Sequence, residues 1–201
     1  MQKMAGLALI ATGFMFAAAD VAAQARPAAE QIAATVLAAP VDRRAEARVL
    51  GYDAAGKLVV LRQGSNDMIC LADDPAREGI EVNCYHISLE PFMARGRQLS
   101  EEGVQGMRRN EIRWAEAQEG KLKLPDRPAI LYTVTGSRFD VTAGTLEGEY
   151  RRSTIYIPYA TTESTGLSTR SSTTDPWIMH GGTAGAHIMI TPPRSGGGGA
   201  D

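Results

Sequence analysis

Three histidines are the residues of this chain whose type and spacing could support acid–base or metal chemistry. His180 and His187 flank the stretch "HGGTAGAH", and His86 lies in a separate run, "GIEVNCYHI". A neutral imidazole binds metal ions or accepts a proton near neutral pH. If the glycine stretch is a hairpin-like turn, His180 and His187 converge, and His86 can join them from a neighbouring sheet. The sequence therefore suggests a tentative ligand site of five residues, namely His86, His180, Gly181, Gly182 and His187.

Competing interpretations of these residues remain open. No pair of histidines has the i,i+4 spacing of HExxH, and no glutamate stands beside any of them, so histidines hydrogen-bonded in or near the core are favoured and no metal is predicted. "GGTAG" lacks the lysine of a phosphate-binding loop. Its glycines can present N–H groups to an anion, or simply allow positive φ and close backbone packing. The sequence contains neither a G-x-S-x-G nor a Ser-x-x-Lys nucleophile motif, and no cofactor is predicted.

The two cysteines, Cys70 and Cys84, are expected to form a disulfide. Two cysteines in an exported chain usually pair, and this bridge would close a loop of about 15 residues. Buried free thiols and a catalytic cysteine are the alternatives. Cys84 has His86 two positions away, which on a strand only places the two side chains on one face.

Two charged clusters are better explained as surface features than as sites. Five arginines alternate with glutamates over two helical segments: Arg95, Arg97, Arg108, Arg109 and Arg113. A solvated helical face with i,i+4 ion pairs is favoured over an anion site. The acidic residues Asp73, Asp74 and Glu78 offer three oxygen ligands to calcium, but turn residues before Pro75 are the preferred interpretation.

The N-terminus predicts export to the periplasm or the extracellular medium. Residues 1–25 combine Lys3, an apolar run and "AQA", as in a signal peptide, with a retained membrane anchor as the alternative. No membrane span is predicted after cleavage. The formal net charge of −2, with acidic and basic residues interspersed, argues against nucleic acid as a partner.

The periodicity of the remaining chain predicts a single α+β domain. Runs with a period of two precede and follow two helical segments between Ser88 and Gly120, with serine caps at Ser88 and Ser100. This order favours a mainly antiparallel sheet, beginning as a four-strand meander, with a helical segment inserted between strands. Residues 26–44 form a lead that is either a short helix or flexible, residues 45–193 form the domain, and residues 194–201 form a disordered tail.

Two blocks of the sequence resemble a family of uncharacterised exported bacterial proteins. The shared elements are a G-x-N-x-x-x-C segment, a second cysteine soon after it and a C-terminal H-x-M-I strand. In this chain they are Gly64, Asn66, Cys70, Cys84 and His187 to Ile190. The resemblance implies export and one recurrent domain, and it implies no activity, cofactor or catalytic residue.

The function expected from the sequence is therefore that of a non-catalytic or accessory binding protein of the bacterial envelope, whose partner is an unknown small molecule or protein. The alternative is a metal-dependent or histidine-assisted hydrolase that uses His86, His180 and His187. A purely structural protein is a third hypothesis of nearly equal weight.

Overall fold

A computed structural model describes residues 25–194 of the chain, so the predicted signal peptide and C-terminal tail fall almost wholly outside the described residues. The helices are α1 (Ala28–Thr35), α2 (Glu90–Glu101), α3 (Gly106–Gln118) and α4 (Thr162–Thr165). The strands are β1 (Arg48–Tyr52), β2 (Leu58–Arg62), β3 (Met68–Leu71), β4 (Ile80–His86), β5 (Ala129–Gly136), β6 (Arg138–Asp140), β7 (Thr145–Glu147), β8 (Tyr150–Tyr156), β9 (Trp177–Met179) and β10 (His187–Ile190).

Eight strands form one sheet in the order β2-β1-β3-β4-β5-β8-β10-β9, and β6 and β7 form a separate hairpin. Every neighbouring pair in the large sheet is antiparallel except β1 and β3. The two longer helices, α2 and α3, are inserted between β4 and β5. The predicted α+β class, with a mainly antiparallel sheet in a single domain, is confirmed.

The first four strands do not form the predicted meander, because β3 crosses past the start of β1 and pairs with it in parallel. The N–H groups of Ser65 and Asn66 both donate to the Glu46 carbonyl oxygen. The Asn66 side chain donates to the Arg43 carbonyl and accepts from the Met68 N–H. The contacts with Arg43 and Glu46 join residues about 20 positions apart in the chain, so a period-two pattern cannot reveal the crossover.

One face of the sheet is covered by α1 and the short 3₁₀ turn that follows it. Cys70 and Cys84 lie directly opposite each other on β3 and β4, form the predicted disulfide and are fully buried under this cover. Ala34, Ala38 and Ala39 belong to the same hydrophobic core. The lead at residues 26–44 is thus helical over Ala28–Thr35, and the packed domain begins before residue 45.

The opposite face of the sheet is covered in part by α2 and α3. Phe92 and Leu99 are the large apolar side chains that α2 buries. The predicted serine caps are wrong: α2 begins at Glu90 after a 3₁₀ turn, and Ser100 lies in its last turn, where its hydroxyl donates to the Gly96 carbonyl. Among residues 25–194, no helix is both long enough and apolar enough to cross a membrane.

Candidate functional site

A groove of about 1230 Å³ lies between the sheet and the helix pair α2–α3. We call it the central groove. Its floor is formed by side chains of β4, β5, β8 and β10 that share one sheet face, because cross-strand partners point to the same side. Its roof is formed by α2 and α3, including Met93, Gly96, Arg109 and Arg113. The groove offers space of the size that a small molecule needs.

The floor of the central groove carries polar side chains in the middle of the sheet. The Thr133 hydroxyl donates to the Asn83 side-chain oxygen at 2.7 Å, and Thr154 contacts the Met189 sulfur at 3.6 Å. Thr133 and Thr154 are both buried, and both line the groove. The floor therefore combines polar groups with apolar side chains, as small-molecule sites do.

The Tyr85 hydroxyl, also on the floor, is held by two charged partners. It donates to the Glu90 carboxylate at 2.5 Å and accepts from the Arg97 guanidinium at 2.9 Å. Burial raises the pKa of Tyr85, so the hydroxyl stays protonated at physiological pH. Its hydrogen-bonding capacity is used within the protein, and Tyr85 serves to anchor α2 to the sheet.

The structure brings His180 and His187 together beside the groove. Their ring centroids are 5.6 Å apart. The pair belongs to a continuous series of packed rings, in which Trp114 contacts His180 and Tyr156 contacts His187. His187 lines the central groove and its residue is 8% exposed. A hairpin between β9 and β10 therefore brings these two histidines together, which the sequence allowed only on the condition that the glycine stretch is a turn.

Hydrogen bonding defines the protonation of His187. Its Nδ1 lies 2.7 Å from the Gly185 carbonyl oxygen, which can only accept, so Nδ1 carries the proton and Nε2 of the neutral ring has a free lone pair. Burial lowers the pKa of His187, and burial followed by the positive charge of Arg113 lowers the pKa of His180. Both rings are accordingly neutral at physiological pH, and His187 can act as a hydrogen-bond acceptor.

His86 does not join this pair. It lies three strands away from His187, which corresponds to ~14 Å at the usual strand spacing, and its strand position faces the opposite side of the sheet. Its ring contacts Ser88 at 2.8 Å and Asp67 at 3.4 Å. Within residues 25–194, no group of three or more His, Cys, Asp or Glu side chains is placed to hold a metal ion.

Gly181 and Gly182 form an exposed turn rather than a wall of the groove. Gly182 has a φ of +78° and its N–H donates to the Ala160 carbonyl at 2.8 Å. The N–H of Thr183 donates to the His180 carbonyl. Both N–H groups are therefore already bonded within the protein and do not point at an anion site. His180 itself has a φ of +55°, an uncommon conformation for a non-glycine residue. The simpler expectation for the glycines, positive φ and a tight bend, is the one that fits.

The arginine cluster departs from the expected solvated face. Three of its members pair with glutamates, but through contacts other than i,i+4: Arg95 with Glu116 of the other helix, Arg97 with Glu90, and Arg108 with Glu111. Arg113 is buried, and it lines the central groove together with Arg109. Burial of Arg113 depends on how α3 crosses α2, so charge alternation along the sequence could not show it.

The acidic loop between the cysteines consists of turn residues, as expected. The Asp73 carboxylate accepts from the Glu81 N–H at 2.9 Å, and the Asp74 carboxylate accepts from the Ala76 N–H at 3.0 Å. A cavity of about 210 Å³ adjoins this loop beneath α1. Arg26, Gln31, Asp73 and Arg77 line this cavity. The Gln31 side chain bonds both backbone groups of Tyr52, so its hydrogen-bonding capacity is largely used within the protein.

Comparison with known proteins provides no information about the function of this chain. The sequence resemblance to uncharacterised exported bacterial proteins stays a prediction. No family model, curated protein or solved structure matches this chain.

Proposed function

We propose that this chain is an exported, non-catalytic or accessory binding protein of the bacterial envelope, and that it holds a small molecule in the central groove. The observation that carries the proposal is the groove itself, whose volume of about 1230 Å³ is of the order of known ligand sites. Its floor offers both polar groups, such as Asn83 and Thr133, and apolar ones, such as Leu131 and Met189.

Two features support export. The first 25 residues have the pattern of a signal peptide. The Cys70–Cys84 disulfide is the kind of bond that persists in oxidising compartments such as the periplasm.

A thermal-shift screen of metabolites and metals on residues 26–201 tests the proposal. We expect at least one compound to raise the melting temperature, and we expect Thr135→Trp, which places an indole in the groove, to abolish that shift. Thr145→Trp is the matched control, because Thr145 lies exposed on β7 outside the groove. A screen without any stabilising compound, or a shift that survives in Thr135→Trp, would contradict binding in the groove.

A histidine-assisted hydrolase is the second candidate function. Since His86 lies apart, the residues that would act are His187 and the neighbouring His180. The observation in its favour is the proton-free Nε2 of a histidine that lines the groove. A panel of ester and amide substrates tests it: turnover by the wild type that His187→Gln lacks would favour the hydrolase. Elemental analysis of protein purified without a His-tag tests the metal-dependent form, which bound zinc, iron or manganese would support.

A further inference from the structure

Arg109 and Arg113 stand one turn apart on α3, and both line the central groove. We call them the arginine pair. Burial lowers the pKa of Arg113, and the positive charge of Arg109 adds a smaller lowering, so the two guanidinium groups are close enough to influence each other. Two neighbouring like charges on one helix face destabilise the helix unless an anion compensates them.

The described residues supply no such anion. None of the ion pairs found among residues 25–194 includes Arg109 or Arg113. Glu101, the acidic residue of α2 that lines the same groove, is exposed and forms no ion pair with either guanidinium in this part of the chain. The arginine pair differs in this respect from the other arginines of the cluster. Each of these has a glutamate partner: Arg95, Arg97 and Arg108.

Arg113 has only neutral partners and is 9% exposed. Its guanidinium donates to the Phe92 carbonyl and the Asn110 side chain, and lies 4.1 Å from the centroid of the Phe92 ring. Its Nε is buried without a hydrogen-bond partner among the described residues, and the same holds for the Nε of Arg109. Burial lowers the pKa of Arg113 to about 10, so the group is still charged at neutral pH.

A glycine in the facing helix provides the space that the Arg113 guanidinium occupies. A Cβ atom at Gly96 would lie 2.9 Å from Nη1 of Arg113, closer than real contacts allow. Gly96 lies in the middle of α2, where glycine destabilises a helix relative to alanine. The close approach of α2 and α3 around the Arg113 guanidinium therefore requires a glycine that destabilises α2. A small apolar residue at position 113 would permit alanine at position 96 instead.

We propose that the arginine pair binds an oxyanion, the carboxylate or phosphate group of the small molecule held in the central groove. The inference rests on the proposed function and names the chemistry of its ligand. Arginine suits this role because its planar fork donates two parallel hydrogen bonds to a carboxylate or phosphate. Tyr156 lines the same groove, and its hydroxyl would be a further neutral donor.

Isothermal titration and thermal shift with three probes test the proposal: inorganic phosphate, succinate and neutral succinamide, at ionic strength matched with sodium chloride. We expect phosphate or succinate to bind saturably and succinamide not to bind. We expect Arg109→Gln and Arg113→Gln each to weaken that binding roughly tenfold or more, since each removes a charged hydrogen-bond donor. Arg108→Gln is the matched control, because Arg108 is exposed on the same helix and pairs with Glu111.

Gly96→Ala provides a variant that keeps both charges and displaces only Arg113, and it should weaken anion binding in the same way. If Arg113→Gln fails to fold, Arg109→Gln and Gly96→Ala decide the question. Equal anion affinity in wild type, Arg109→Gln and Gly96→Ala would overturn the proposal. A neutral compound from the metabolite screen that binds all variants equally, while neither anion binds, would leave groove binding standing and refute the oxyanion.

Discussion

At the scale of single residues, His187 has a fixed tautomer and a suppressed charge. The Gly185 carbonyl oxygen holds the proton on Nδ1, and burial lowers the pKa of the ring. The left-handed backbone of His180 is stabilised locally, since both the N–H and the hydroxyl of Thr183 donate to the His180 carbonyl. The tautomer of His187 and the backbone of His180 are thus set by contacts two or three residues away, while the rings themselves pack against Trp114 and Tyr156 from other elements.

The lowered pKa of His187 predicts a loss of stability in mild acid. Above its ordinary pKa of 6.5, both the folded and unfolded chains hold a neutral imidazole. As the pH falls below 6.5, the unfolded chain takes up the proton first, so the free energy of unfolding decreases by at most ~1.4 kcal/mol per pH unit for this one group. Urea denaturation between pH 7.5 and 5.5 should show a shallower decline for His187→Gln than for the wild type.

His86→Gln is the control for that measurement, because its ring lies on the opposite face of the sheet and its side chain is 39% exposed. It should keep the part of the pH dependence that His187 produces. A slope that His187→Gln leaves unchanged would mean that the imidazole is as easily protonated in the folded protein as in the unfolded chain.

At the scale of elements, α3 docks against the hairpin of β9 and β10 through a glycine. A Cβ atom at Gly185 would lie 2.3 Å from Nε1 of the Trp114 indole. Trp114 also contacts the His180 ring, with centroids 5.1 Å apart. The absence of a side chain at position 185 therefore determines how closely the roof of the groove approaches the histidine pair.

Gly185→Ala is expected to displace Trp114 and to lower the free energy of unfolding by about 1–3 kcal/mol, the usual cost of overpacking. Tryptophan fluorescence should report the movement of the indole, and urea denaturation the stability. Gly181→Ala in the same hairpin is the control, since its added Cβ would meet neighbours at 3.6 Å or more and should change little. Equal effects of the two substitutions would contradict the close packing of Trp114.

At the scale of the whole molecule, the sheet depends on covers contributed from distant parts of the chain. The disulfide and α1 lie on one face, while α2 and α3 lie on the other. The fully buried Thr35 donates its hydroxyl to the Gln31 carbonyl, which satisfies it inside α1. The N-terminal segment is thus part of the fold, although its alanine-rich sequence is equally typical of a tether.

Removal of residues 26–44 should expose the apolar face of the sheet and leave a chain that aggregates or binds a hydrophobic dye. Circular dichroism and size-exclusion chromatography measure the outcome. Removal of residues 195–201, beyond the described range, is the control and should leave the melting temperature unchanged. A cooperative unfolding transition of wild-type midpoint in the shorter chain would show that α1 contributes nothing to stability.

Cys70→Ala/Cys84→Ala should lower the free energy of unfolding by about 3 kcal/mol, because the bridge restricts a loop of about 15 residues in the unfolded chain. Urea denaturation of the double variant, and of the wild type with and without reductant, measures this. Mass spectrometry of alkylated, non-reduced protein provides the check on bonding: two labelled thiols would refute the disulfide.

Much of the fold follows from local patterns. The runs from Leu58 to Leu61 and from Ile80 to His86 alternate or concentrate apolar residues as strands do, and the structure has strands there. The proximity of His180 and His187 could also be suggested from the sequence, because a hairpin through "GGTAGA" would bring its two ends together. The burial of Arg113 could not be predicted, because a sequence of alternating charges does not distinguish a solvated arginine from a buried one.

The α+β class, the approximate strands and the nearness of the two cysteines were predictable without coordinates, because they depend on periodicity and on short separations along the chain. Three features emerge only in the folded chain: β1 and β3 run parallel, His86 lies apart from His180 and His187, and the arginine pair faces a groove. Strand order and helix crossing place these groups, and both arise from contacts between residues far apart in the chain, for which no local pattern exists.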